Sequence, residues 1–230
     1  MTELHVYLER AGLATYLHDA VFVEHCEQAY SRLMDCPPLT LDGVKMTYPV
    51  PMLSEDGSCS LFDELAPTPF DLRSVLGGDT TENRYLLAHL DAWVEQVQRV
   101  QRVDWVGIYQ KRQVAGEVSL VKMVYRGNPS RAVFPLTDVF AAHSTNSLVG
   151  LSGRARIIGD VGRHVASGGA YYTCDPAVQA EACLPILGRD GAILGIIDAE
   201  DVRPGFFDVL RLAELVALCL MSAEVLERSI

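Results

Sequence analysis

ACLPILGRDGAILGIIDAED, Ala182–Asp201, sets two apolar runs on either side of Arg189-Asp190-Gly191. Asp-Gly supplies the left-handed backbone that a tight turn needs, and the flanking Ile and Leu residues suit extended chain. The stretch reads as a β-hairpin, which makes the sheet around it antiparallel. The second arm ends in GIIDAED. Side chains alternate along a strand, so Asp198 and Glu200 face the same side.

Working outward, DWVGIYQK and EVSLVKMVYRG are rich in Val, Ile, Tyr and Trp and are separated by a Gly-containing turn. They read as a second hairpin. Trp105 and Tyr109 are an even number of residues apart, so they too share a face. RAVFPL is a third candidate strand region, RARIIGDV a fourth, and the segment from Thr137 to Ser152 between them holds a short helix. Upstream, Leu86, Leu87, Leu90, Trp93, Val94, Val97 and Val100 recur at helical spacing, and the preceding GGDTTENRY reads as a turn and N-cap. A closing helix is predicted from about Phe206 to Arg228. Helix, antiparallel strands and helix in that order make an α+β fold, with helices on one face of the sheet.

The first third reads differently. Glu3 to Met34 predicts one or two helices interrupted near Gly12, ended by the proline pair of CPPLTL. LTLDGVKMTYPV predicts a hairpin turning at Asp42-Gly43. Met52 to Thr81 reads as a long surface connection with a short helix. Residues 1–80 are therefore expected to be an N-terminal extension, and 81–230 the main domain.

The chain of 230 residues is 49% hydrophobic and 21% charged, a globular composition. Its net charge of −11 lacks the basic footprint that nucleic acid or an anionic membrane requires. No basic segment followed by an apolar run opens the sequence. The apolar stretch Leu212–Val225 is short for a bilayer and carries Glu214 and Glu224. The six cysteines, at 26, 36, 59, 174, 183 and 219, have no metal-finger spacing. They are expected to be reduced thiols in a cytoplasmic protein. His143 and His164 with Cys174 follow no ligand pattern either, so no metal site is expected.

One stretch carries chemistry. In YYTCDPAVQAEACLPI, Tyr171–Ile186, Cys174 precedes Asp175, and Glu181 follows seven residues after the cysteine. Cys26, Cys36, Cys183 and Cys219 lie in contexts that favour burial as small hydrophobes. Cys174 sits in a polar loop after the Gly-rich VASGGA, which itself reads as a flexible lid.

Three motifs together carry a family resemblance: Trp105, Gly107 and Tyr109 in DWVGIY; Cys174, Asp175 and Glu181 in TCDPAVQAE; and Asp198 and Glu200 in GIIDAED. Over about Glu82 to the C-terminus the chain resembles a GAF domain, and more narrowly a free methionine-R-sulfoxide reductase. The resemblance implies a GAF fold and thiol-dependent reduction of a free sulfoxide amino acid. Cys174 would be the nucleophile. Glu181, Asp198 and Glu200 would hold the substrate ammonium, with one carboxyl kept protonated by like-charge repulsion to protonate the leaving oxygen. Asp175 would contact substrate, and Trp105 and Tyr109 would wall the methyl group. The resemblance further implies a thioredoxin-type reductant and no organic cofactor.

The sequence departs from the family at three points. Two further cysteines of the family fall near Arg131 and Asn146 here, neither of which is Cys, which leaves Cys183 and Cys59 as candidate resolving thiols. Glu200 stands where an aspartate is expected. The rival reading is a non-catalytic GAF module that senses a small ligand or oxidation. A third is a GAF enzyme recruited to other redox chemistry in a dedicated pathway. The apolar stripes of the helices at 86–100 and 212–226 suit either a homodimer or packing on their own sheet.

Overall fold

The hairpin at the centre of the sheet is β3 (Trp105–Val114) with β4 (Glu117–Arg126). Its link, Ala115-Gly116, has both residues at positive φ, 51° and 87°. That pair of left-handed residues is what a two-residue hairpin turn matched to strand twist requires. The structure is a computed structural model and describes residues 3–54 and 64–229. The hairpin expected at the C-terminal end is present as β7 (Ala180–Leu187) and β8 (Ile193–Asp201), with Gly191 at φ 89° in its turn. With β5 (Val133–Pro135) and β6 (Arg156–Ile158), these strands form one antiparallel sheet in the order β5-β4-β3-β8-β7-β6.

Alternation divides the sheet's side chains. Val106, Ile108, Val121, Met123, Leu184 and Ile197 point into a large core against the long helices α4 (Thr81–Gln101) and α8 (Val209–Leu226). Trp105, Tyr109, Leu120, Cys183 and Ile196 point the other way. The long helices thus gather on one face, as the α+β reading requires. The opposite face is covered by α5 (Asp138–Ala141), α6 (Thr145–Ser152) and loops. α7 (Val161–Ala166) follows β6. The apolar stripe of α4 is buried from Leu86 to Val97, with Val100 left exposed.

The N-terminal helices α1 (Glu3–Arg10) and α2 (Ala20–Met34) share the large core, burying Leu8, Phe22, Cys26, Ala29 and Leu33 in it. α2 also explains the acids of the apolar α8. Glu214, itself buried, is paired by Arg32 and by His25 at 3.1 Å, and Tyr30 donates to Glu224 at 2.7 Å. Without α2 the buried charge of Glu214 would lack these partners, a costly state.

The expected hairpin at Asp42-Gly43 does not form. Leu39 donates its N–H to Ala88 O of α4 at 3.2 Å, so the intended first arm is tied to a helix. Leu41–Gly43 becomes a 3-10 turn. The second arm, β1 (Thr47–Tyr48), pairs instead with β2 (Phe70–Asp71). The short helix of the connection is α3 (Arg73–Leu76). No helix among the described residues is long and apolar enough to cross a membrane.

Candidate active site

On the sheet face away from the long helices, a cavity of about 20 Å³ is lined by Trp105, Tyr109, Cys174, Glu181, Asp198 and Glu200. Six of the nine residues singled out from the sequence therefore meet. Register explains part of this. Gly107 pairs with Asp198 and Trp105 with Glu200 across β3–β8, while Glu181 pairs with Glu200 across β7–β8. The three carboxylates each offer an oxygen within 4.8 Å of the others. This oxygen-only set suits an ammonium or a hard divalent cation.

Glu181 and Asp198 are each only 3% exposed. One oxygen of each, Glu181 Oε2 and Asp198 Oδ1, is buried without a hydrogen-bond partner. Burial, reinforced by Asp198 and Glu200, pushes Glu181 well above the ordinary carboxylate range. Burial also raises Asp198 to about 7, against the opposing hydrogen bond from Asn146 and the charge of Lys122. Desolvation, rather than like-charge repulsion, is thus the first cause of the proton held here.

The indole of Trp105 folds over Gly107: a Cβ at that glycine would meet the ring at 2.5 Å. The glycine two residues after the tryptophan is a close-approach requirement. Trp105 Nε1 donates to Asn128 O at 3.0 Å, and Tyr109 OH donates to Arg131 O at 3.2 Å. Tyr109, Phe134 and Tyr172 form an aromatic series, with centroids 5.5 and 5.9 Å apart.

The segment 167–179 brings Cys174, which is half-buried, over the cavity. Tyr172 anchors it, accepting from Arg131 Nη1 at 2.9 Å and packing on Phe140 at 5.4 Å. Asp175 does not line the cavity. It accepts from Ala177 N at 2.8 Å and Asn128 Nδ2 at 3.4 Å, closing the turn after the cysteine. Cys183 shares the sheet face but is fully buried beside Asp198 in register and is not in the cavity lining. Burial raises its thiol well above the ordinary value. Cys59 lies outside the described residues. His143 packs at a tilt on Phe140, centroids 4.8 Å apart, and His164 contacts Arg156 at 3.1 Å.

Sequence reasoning missed several groups. Ser144, Thr145 and Asn146 present the start of α6 to the cavity. Asn146 Nδ2 donates to Asp198 Oδ2 at 3.0 Å. The polar run HSTN before SLVG was a legible N-cap signal for them. Of the two positions near which family cysteines would fall, Asn146 lines the cavity, whereas Arg131 lies outside it and contacts the lining residue Tyr172. Lys122, a lone charge in the apolar run SLVKMVY, lies fully buried behind Trp105 and Tyr109.

No protein-family profile matches the chain, and no curated protein matches it. Solved structures do. A type II free methionine-R-sulfoxide reductase from Thermoplasma acidophilum superposes with a TM-score of 0.54 at 20% identity, covering 64% of this chain and 96% of that one. A free methionine-R-sulfoxide reductase from Neisseria meningitidis, in complex with its substrate, gives 0.50 at 20% identity over 69% and 91%. The GAF domain of an Acinetobacter phosphoenolpyruvate-protein phosphotransferase gives 0.51 at 20% identity over 62% and 82%. The chain has the GAF fold, and within that fold it resembles the free methionine-R-sulfoxide reductases.

Proposed function

We propose that this protein reduces a free sulfoxide amino acid of the methionine-R-sulfoxide type through Cys174. The observation that carries the reading is the placement of a half-buried thiol over two buried carboxyls with unpartnered oxygens, in a cavity walled by Trp105 and Tyr109. The carboxylate cluster attracts the substrate ammonium, and the aromatic pair receives the S-methyl group. The Cys174 sulfur attacks the sulfoxide sulfur, and the raised Glu181–Asp198 pair protonates the oxygen. The sulfoxide is reduced to the thioether, and Cys174 is oxidised to its sulfenic acid, which keeps that oxygen. Two equivalents of external thiol, of the thioredoxin class in a cell, return the sulfenic acid to thiol and release water. No second cysteine lines the cavity among the described residues. A cavity of about 20 Å³ holds one water, so it must widen to admit substrate.

The test is methionine formation from free L-methionine-R-sulfoxide with dithiothreitol, beside a Cys174→Ser control. Turnover that vanishes in the control supports the reading, and a folded wild type without turnover overturns it. The ligand-sensing alternative is favoured by the replacement of both family cysteines by Arg131 and Asn146. It requires ligand binding without turnover.

A further inference from the structure

A lysine stands fully buried behind the site. Lys122, on β4 directly across from Tyr109 in register, is 0% exposed. Its Nζ donates to the backbone oxygen and to the Oγ of Ser130, both at 2.7 Å. Ser130 itself lines the cavity. Three rings surround the ammonium: Tyr125 at 4.0 Å, Tyr48 at 5.1 Å and Trp105 at 5.8 Å from their centroids. Aromatic faces stabilise a desolvated cation without neutralising it, so its field persists toward the cavity.

The groups facing that cavity are mainly acidic. β8 contributes Asp198 and Glu200, β7 contributes Glu181, and β3 contributes Tyr109, while Cys183 of β7 lies buried beside Asp198 outside the lining. α6 adds the neutral Thr145 and Asn146, the loop adds Cys174, and two groups act from outside the lining: Tyr171 of the same loop and Arg156 of β6, which bears on Glu181. Lys122 is the cation whose charge opposes the proton on Asp198. Tyr48 reaches Lys122 from the N-terminal segment, donating its hydroxyl to the Lys122 backbone oxygen at 2.5 Å. Its ring packs edge-on against Tyr125 at 5.5 Å, and Tyr125 in turn stacks on Trp105 at 6.1 Å.

We propose that Lys122 is the internal counter-ion of the carboxylate cluster, and that the N-terminal segment, through Tyr48, holds it in place. Lys122 is a positioning residue: it sets the charge with which the cluster meets a cationic ligand, whether or not the site is a reductase. The first 80 residues thereby enter the construction of the site.

The test follows the carbonyl carbon-13 resonance of Asp198 through a pH titration of the ligand-free full chain, assigned with Asp198→Asn. Removing a nearby positive charge favours the protonated carboxyl. Lys122→Met is expected to shift the midpoint upward. Lys122→Arg is expected to stay near the wild type, and Tyr48→Leu to move upward by less than Lys122→Met. An unchanged midpoint in Lys122→Met overturns the proposal. Should that variant not fold, Tyr48→Leu and Ser130→Ala decide, and unchanged midpoints in both overturn it. The titration uses no substrate, so its result is separate from the failure or success of the reductase assay.

Discussion

Asn146 and Asp198, 52 residues apart in sequence, meet at 3.0 Å, with the amide donating to a carboxyl that burial would otherwise protonate more strongly. The contact joins the start of α6 to β8, and it balances the cost of burying Asp198 without removing it. Replacing Asn146 by Ala removes the donor. The Asp198 midpoint, already pushed up by burial, is then expected to rise further. If Asp198 supplies the proton in turnover, the alkaline loss of methionine formation moves to higher pH in the same variant. A pH–rate profile beside the carbon-13 titration checks both.

Asp198 also makes stability depend on pH. Its folded pKa lies above its unfolded one, so the folded state binds the proton more tightly. The resulting stabilisation is complete below about pH 4 and is lost as pH rises through about 7. Asp198→Asn keeps the shape without the charge. Urea unfolding should show the variant near wild type at pH 4 and more stable than wild type at pH 8, with activity reduced.

Gly107 is crossed by the Trp105 ring, with 2.5 Å between the ring and any added Cβ. Gly107→Ala is expected to cost about 1–3 kcal/mol through overpacking and to displace the indole from the cavity wall. Denaturant unfolding reads the first effect. A shifted Trp105 emission, measured in a Trp93→Phe background, reads the second.

The N-terminal helices belong to the common core. Phe22 is fully buried there, and Phe22→Ala should destabilise the whole chain by about 3–5 kcal/mol. One cooperative transition is expected, and a separate transition for the GAF portion would contradict the shared core.

Thiol accessibility separates the cysteines. Iodoacetamide at pH 8 should label half-buried Cys174 and spare Cys26, Cys183 and Cys219. Those three are buried, and burial raises each of their thiols. Peptide mass mapping of the native protein checks the pattern.

Much of the fold was legible because alternation and turn chemistry are local. Asp190-Gly191 marked the hairpin, and even spacing placed Trp105 with Tyr109 and Asp198 with Glu200 on one face. Asp42-Gly43 carried the same turn signal and misled, because a long-range hydrogen bond from Leu39 to α4 claimed its first arm. The family resemblance puts Asp175 at the substrate, and in the structure its carboxylate accepts from Ala177 N in the turn after Cys174.

The sequence by itself determined the strand and helix periods and the shared faces. Those follow from backbone geometry that repeats every two or 3.6 residues. Only the tertiary structure decided which polar groups lose their water. The burial of Glu181 and Asp198, the amide of Asn146, and Lys122 behind the aromatic wall all depend on contacts between distant segments. The proton affinity of a carboxyl is set by that desolvation and by the charges around it, and neither has a period that a sequence can display.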